Sequence, residues 1–451
     1  MQTVNPTTEA VLASYPEHSA QQLDAIVERA RAAFADWRAF AVPERAVVLR
    51  AAAQRLREQQ AMLAELMTAE MGKPIRQAKA EVEKCAWVCD YYADNGGRFL
   101  APQPVATDAR ESSVRFDPLG VILGIMPWNF PLWQVLRFAA PTLMAGNVVL
   151  LKHATNVWGA ASAIERLWQE AGLPSGAFAA LFVDHEQTEA LVGDRRVAGV
   201  SLTGSVRAGR RIGELAGRAI KPCVLELGGS DPCVVLADAD VEAAAVGAVQ
   251  GRLINSGQSC IAAKRFIVEA PIYAHFSDAV RAELAAVQVD DPKLESTDVG
   301  PLARRDLRDN LHRQVRESVE RGAQCRLGGE VPSGAGFFYP PTLLTEVTEG
   351  MPAFDEETFG PLAAVVRAND AQEAIALANR SAFGLGASVW TRHERGLEVA
   401  ERLEAGTVAI NGIVKSDPRL PFGGVKDSGV GRELAQQGIH AFVNVKSVSA
   451  S

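Results

Sequence analysis

A cysteine, a glutamate and an asparagine stand in short segments of a kind that can do covalent chemistry. Cys260 closes the run Gly257-Gln258-Ser259-Cys260. A thiolate is a good nucleophile, and the backbone N–H beside it can hold the oxyanion its attack creates. Glu226 ends an apolar run and is followed by Leu227-Gly228-Gly229-Ser230. A carboxylate in apolar surroundings has a raised pKa, which suits a general base near neutral pH. The paired glycines argue for a close backbone approach by something else. Asn129 stands in Pro127-Trp128-Asn129-Phe130-Pro131, where rigid, bulky neighbours can fix its amide as a second oxyanion donor. Thr203-Gly204-Ser205 follows an apolar run and precedes a helical one. Its backbone donors can take a phosphate, although the same tripeptide is an ordinary helix cap. No Gly-x-Gly-x-x-Gly occurs, so the usual dinucleotide fingerprint is absent. Each segment alone also has a bland reading: a buried thiol, a solvated glutamate, a proline-rich core turn.

The elements that must position these residues follow from hydrophobic periodicity. Val148–Leu151, Ala179–Val183, Gly199–Leu202, Cys223–Leu227 and Cys233–Leu236 read as strands buried on both faces. Helical stretches at Trp158–Ala171, Glu186–Val192 and Arg207–Arg218 alternate with them. That alternation predicts a parallel, doubly wound sheet, which binds ligands beyond the carboxyl ends of its strands. After Asp238–Asp240, a helix-capping segment, a second α/β series has strands at Arg265–Val268, Leu362–Val366, Gly386–Trp390 and Val408–Asn411. Helices are expected at Ile272–Val287, Arg304–Arg321, Ala371–Asn379 and Glu394–Leu403. Ahead of both series, one long helix is expected over Pro43–Pro74 and a second over Gln77–Tyr92. The domain boundary falls near Leu236–Asp240.

The chain has 451 residues, 48% of them hydrophobic, with 46 Lys and Arg against 54 Asp and Glu, a net charge of −8. A net-acidic chain without a basic block is a poor partner for nucleic acid or an anionic membrane. The eighteen uncharged residues Leu119–Leu136 contain two prolines, an asparagine and a glutamine, so they read as buried core or active site rather than a membrane span. Met1–Tyr15 carries no basic stretch followed by an apolar core, so no secretory signal is expected there. Six cysteines, at 85, 89, 223, 233, 260 and 325, are too sparse for a disulfide framework and complete no zinc site. A reducing cytoplasm is the expected location, and no metal is expected.

Taken together and in order, these motifs resemble the aldehyde dehydrogenase superfamily almost end to end. Pro-Trp-Asn-Phe-Pro at 127–131, Glu-Leu-Gly-Gly at 226–229, Gly-Gln-Ser-Cys at 257–260, Glu-Glu-Thr-Phe-Gly-Pro at 356–361 and Pro-Phe-Gly-Gly at 421–424 all match. The resemblance implies a Rossmann-like cofactor-binding domain over 1–107 and 125–236, an α/β catalytic domain over 237–432, and a small β oligomerisation element over 108–124 and 433–451. Ser112–Phe116 and Phe442–Val448 would be strands of that element, and their exposed edges predict a homodimer or a dimer of dimers.

The resemblance also assigns roles. Cys260 would attack the aldehyde to give a thiohemiacetal whose oxyanion meets the Asn129 amide and the Cys260 N–H. Hydride transfer to a nicotinamide would leave a thioester, and Glu226 would activate the water that releases the acid. Lys152 would reach the adenosine ribose, Gly204 and Ser205 would face the pyrophosphate, and Glu357 and Phe359 would hold the nicotinamide ribose. Trp128 and Leu227, within the matching motifs, complete the implied cofactor set. Thr155 stands where many NAD-preferring relatives carry an acidic residue. That leaves space for a 2′-phosphate beside Lys152, so NADP is expected to be accepted and mildly preferred over NAD.

Segments 130–134, 151–157, 204–209 and 226–232 resemble the short bacterial succinate-semialdehyde dehydrogenases in particular. By that likeness Arg137 and Ser416 would bind the substrate carboxylate and Trp133 would form an apolar wall. Relatives often carry a second arginine six residues before the nucleophile, where Ile254 stands here. Glutarate semialdehyde or a wider aliphatic range is the alternative substrate class. A cysteine-dependent ester hydrolase is the alternative of another kind.

Overall fold

A computed structural model describes all 451 residues; helices pack on two large, mainly parallel sheets, beside a three-stranded antiparallel sheet and two two-stranded ones. The first sheet has six strands in the order Gly429–Val430, Cys223–Glu226, Val197–Thr203, Val121–Met126, Val148–His153 and Phe178–Leu181. All neighbours are parallel except the edge pair Gly429–Val430 with Cys223–Glu226. Val148–His153 and Phe178–Leu181 are buried at every position, because helices cover both faces of a parallel sheet. Helices Val42–Glu58, Gln60–Met71, Ile75–Leu100 and Trp133–Met144 share this sheet's apolar core.

The second sheet has seven strands, ordered Gln324–Leu327, Thr342–Thr345, Leu362–Ala368, Ala263–Glu269, Asp231–Val235, Gly386–Trp390 and Thr407–Ile410. Side chains alternate between its faces: Val234, Ile267 and Val366 enter one apolar cluster, while Val235, Phe266 and Val365 enter another. The third sheet places Glu111–Pro118 between Gln103–Pro104 and Val443–Ala450, leaving Val443–Ala450 on an open edge.

Four expectations change. The strand expected at Cys233–Leu236 forms as Asp231–Val235 but pairs with Ala263–Glu269 and Gly386–Trp390. It therefore belongs to the second sheet, and the chain crosses between sheets at Gly228–Ser230 rather than at Leu236–Asp240; a doubly buried apolar run does not say which sheet it joins. Within the segment 108–124, the start of strand Val121–Met126 lies in the first sheet, not in the small one. The long helix expected over Pro43–Pro74 is two helices, broken at Gln59 (φ −100°, ψ 11°). Its buried positions Leu49, Leu56, Leu63 and Met67 keep helical spacing through the break, so periodicity carries no trace of it. The helix expected at Gln77–Tyr92 runs from Ile75 to Leu100. Gly96 sits inside because Met144 occupies the space of a Cβ, 2.6 Å away.

No helix is long and apolar enough to cross a membrane. The uncharged stretch 119–136 divides instead between strand Val121–Met126, a turn, and the start of helix Trp133–Met144.

Candidate active site

The turns after strands Val121–Met126, Val197–Thr203 and Cys223–Glu226 carry Asn129, Gly204 and the Glu226 loop, at the carboxyl ends of the first sheet. Cys260 arrives differently. Its loop follows helix Val241–Leu253 and precedes strand Ala263–Glu269, so it stands at the amino end of a second-sheet strand, not beyond a carboxyl end as the sequence pattern suggests. Glu357 and Phe359 likewise precede strand Leu362–Ala368. The site is the seam where the carboxyl ends of one sheet meet the amino ends of the other.

The Cys260 loop is held in an unusual conformation. Asn255, Ser256 and Gly257 have φ of 55°, 55° and 77°, the left-handed region that disfavours a side chain. Buried cations offset that strain. Arg252 donates to the carbonyls of Gly257 (2.6 Å), Gly360 (2.8 Å) and Thr358 (3.3 Å), tying the nucleophile loop to the 356–361 segment. Lys264 donates to the carbonyls of Ser259 (2.9 Å) and Cys260 (2.8 Å) and lies 3.7 Å from the Glu357 carboxylate. The Asn129 amide donates to the Gln258 carbonyl at 3.0 Å; its other N–H remains for a ligand, since an amide carries two donors. Asn255 fixes Asn129 in turn, donating to its carbonyl at 2.6 Å.

Gly228 and Gly229 do meet other chain segments closely. A Cβ on Gly229 would lie 2.5 Å from the Cys260 carbonyl, and one on Gly228 would lie 2.5 Å from the Glu357 carboxylate. Glu357 also accepts the Gly229 N–H at 3.0 Å. Leu227 is buried against Gly209, and its N–H donates to the Ser428 carbonyl at 2.9 Å.

Burial pushes the Cys260 thiol up to about 12, with Arg137 and Lys264 pulling the other way. The resting group is therefore a thiol. Glu226 is fully buried with both carboxylate oxygens lacking a hydrogen-bond partner. Burial and the neighbouring Glu433 push it well above the usual carboxylate range. Its Oε1 faces Gly423.

A cavity of about 320 Å³ opens beside Cys260. Ile254, Phe130, Trp133, Val414 and Phe422 give it apolar walls, and Arg137, Ser416 and Lys84 give it polar lining. Arg137 is buried, ion-paired with Glu433, and stacked 4.6 Å from the Phe422 ring. Its charge is thus shared with Glu433 before any substrate carboxylate, which the resemblance gives it, arrives. Helix Ile75–Leu100 supplies parts that sequence reasoning missed. Glu81 accepts the N–H groups of Leu132 and Trp133, both at 2.9 Å, and pairs with buried Lys73, which lies 3.9 Å from the Phe130 ring.

The residues singled out for a nucleotide stand outside the lining of that cavity. Lys152 is buried at the end of strand Val148–His153, without a carboxylate in ion-pairing range. Thr155 opens the short turn Thr155–Val157. Ser205 caps helix Val206–Arg218, its hydroxyl accepting the Ala208 N–H at 3.3 Å. A Cβ on Gly204 would meet only Leu202, at 3.6 Å. Trp128 and Phe359 meet edge to face with ring centres 5.7 Å apart. No group of three or more His, Cys, Asp or Glu side chains is placed to hold a metal ion.

Comparison with known proteins agrees with this geometry. The model of the aldehyde dehydrogenase family matches residues 1–448. The chain is 48% identical over 447 residues to the succinate semialdehyde dehydrogenase [NAD(P)+] Sad of Escherichia coli (strain K12), covering 99% of this chain and 97% of that one. It is also 48% identical, covering 99% and 98%, to a probable succinate-semialdehyde dehydrogenase [NADP(+)] of Synechocystis sp.. Among solved structures, succinic semialdehyde dehydrogenase from Streptococcus pyogenes in complex with NADP+ superposes with a TM-score of 0.97 at 36% identity, covering 99% of each chain. The chain belongs to the aldehyde dehydrogenase family.

Proposed function

We propose that the protein oxidises succinate semialdehyde to succinate with NADP or NAD, through a covalent adduct on Cys260. The observation that carries this reading is the cavity in which the Cys260 loop, an apolar wall and buried cations face one another. An aldehyde carbon at Cys260 and an anionic tail among cations is the arrangement a short semialdehyde needs.

The nucleotide residues fit the group they would hold. Lys152 is a buried cation lacking an ion-pair partner, Ser205 and Gly204 open a helix start that favours phosphate, and the Trp128–Phe359 pair offers an aromatic surface. When bound, the nicotinamide supplies the hydride acceptor that turns a Cys260 thiohemiacetal into a thioester. Cys260 loses its proton to solvent, and the thiolate attacks the aldehyde carbon as the C=O electron pair moves onto the oxygen. The free Asn129 N–H and the Cys260 backbone N–H stabilise the oxygen that becomes charged. Glu226, protonated at rest through burial and its neighbour Glu433, acts in its ionised form: it takes a proton from the water that cleaves the thioester, and Cys260 leaves as the thiolate. Lys264 and Arg252 keep the loop in place by holding its carbonyls.

Thr155 beside Lys152 leaves no negative charge against a 2′-phosphate, so NADP is mildly preferred. Thr155→Glu should reverse the preference, raising the ratio of kcat/KM for NAD over NADP by about tenfold or more. An unchanged ratio would remove Thr155 from the phosphate site, and a parent enzyme favouring NAD more than about tenfold would refute the NADP preference itself.

Arg137→Ala should raise KM for succinate semialdehyde more than for a simple aliphatic aldehyde. It should also destabilise the fold by about 3–5 kcal/mol, because it strands buried Glu433. Chemical denaturation of the variant checks the second effect, and equal KM changes for both aldehydes would take Arg137 out of the pocket.

The reading is tested by kcat/KM for succinate semialdehyde, glutarate semialdehyde and butanal. Succinate semialdehyde should lead; a lead by either of the others would transfer the assignment to that substrate. We further infer a homo-oligomer, a dimer or a dimer of dimers, built on the open edge of Val443–Ala450. The six unpaired cysteines fit a reducing cytoplasm.

A further inference from the structure

Three buried or part-buried cations approach the cavity beside Cys260, and two of them are matched. Lys73 is paired with Glu81, and Arg137 with Glu433. Lys84 is not. Its ammonium donates to the Ser416 hydroxyl at 2.7 Å and lies 4.2 Å from the Trp133 ring, but no carboxylate lies within ion-pairing range of it. The carboxylates nearest in effect are already bonded elsewhere: Glu81 to Lys73, and Asp417 to Arg419. An ammonium has three donors, and only Ser416 takes one. A part-buried cation left with unused donors at a cavity wall is costly unless an anion completes it.

We propose that Lys84 is a specificity-determining residue of this pocket, donating together with Ser416 to the carboxylate of a short semialdehyde. This rests on reading the cavity as the aldehyde site. It accounts for Ile254, where an arginine is missing: the second cation comes from helix Ile75–Leu100 and enters from another wall. Trp133, under the Lys84 ammonium, keeps that cation in place by its ring face. Serine and lysine reach one carboxylate from adjacent donors, while Arg137 reinforces the positive field from within the core.

The charge of Lys84 should be sensitive to pH. Burial and the Arg137 guanidinium push it down to about 8, while Cys85 and Glu81 on its own helix and Asp417 on the facing loop act the other way. A lysine with a lowered pKa loses its charge as pH rises through that value. The preference for a carboxylated over an uncharged aldehyde should therefore fall above pH of about 8.

The test is steady-state kinetics of the full-length enzyme with saturating NADP, on succinate semialdehyde and on butanal, for the parent and for Lys84→Met, Lys84→Arg and Lys415→Met. Lys84→Met should raise KM for succinate semialdehyde about 10- to 100-fold, the loss expected of a charge-assisted hydrogen bond. Butanal kinetics should stay within about twofold, which also shows the variant is folded. Lys84→Arg should recover part of the affinity. Lys415, exposed at the same cavity, is the control for overall charge: an equal loss in Lys415→Met overturns the assignment. So does an equal effect of Lys84→Met on both aldehydes, or none on either. A parent enzyme that oxidises butanal but not succinate semialdehyde would instead refute the proposed substrate, a result distinct from an unaffected Lys84 variant.

Discussion

Replacing Cys260 by serine is expected to abolish nucleotide reduction, by on the order of 10³-fold or more, while NADP binding stays within about twofold. The two halves of this result have separate physical origins. The nucleophile is a half-buried thiol held in the neutral form at rest, with Arg137 and Lys264 the positive charges that favour its ionisation. A serine hydroxyl ionises far less readily than a thiol, so the same loop would present a poor nucleophile. The loop itself is held through backbone carbonyls by Lys264 and Arg252, and serine leaves those bonds alone. The proposed nucleotide contacts, Lys152, Ser205 and the Trp128–Phe359 pair, sit on other segments. Initial-rate assays and fluorescence titration with NADP measure the two halves. A serine variant retaining more than about a tenth of the parent rate would exclude the covalent route.

Glu226→Gln is expected to separate the two chemical stages. Acylation of Cys260 needs no water, so a rapid burst of one reduced nucleotide per active site should persist. Turnover after it should slow by about 10²- to 10⁴-fold, the range for loss of a general base. The fold should not suffer. Glu226 has no hydrogen-bond partner and shares its burial with Glu433, and its raised pKa means the folded state holds this proton more tightly than the unfolded chain. Such a group costs stability as pH rises above its unfolded value, and an amide carries no such cost. Rapid-mixing kinetics read the burst, and thermal melting at neutral pH should place the variant no lower than the parent. Loss of the burst together with steady-state turnover would assign Glu226 to the first stage instead.

Much of this site was legible in the sequence because its polar residues interrupt apolar runs at strand ends. Asn129, Ser205 and Glu226 each stand just past such a run, and Asp240 caps its helix as the sequence suggests. The paired glycines at 228 and 229 announced a close approach; only the fold shows that the approaching groups are the Cys260 carbonyl and the Glu357 carboxylate. The cations were harder. Lys264 and Arg265 stand near the start of a buried strand and Arg252 in the buried last turn of helix Val241–Leu253, and a charge in such a place signals a buried partner without naming it. Lys84 gave no signal, since it lies within a polar helix far from every motif and meets Ser416 across 332 residues of chain. A comparably long stretch of chain hid Glu433 from Arg137. Pairings of this kind depend on how two sheets and one long helix pack, and local periodicity carries no record of that packing.

The most direct measurement is a product balance on the purified protein given succinate semialdehyde and NADP, with reduced nucleotide and succinate both quantified. Oxidation through Cys260 predicts one reduced nucleotide for every succinate formed, with both lost in Cys260→Ser. Succinate semialdehyde left unconsumed, or turnover of simple esters with no nucleotide reduction from any aldehyde, would contradict it.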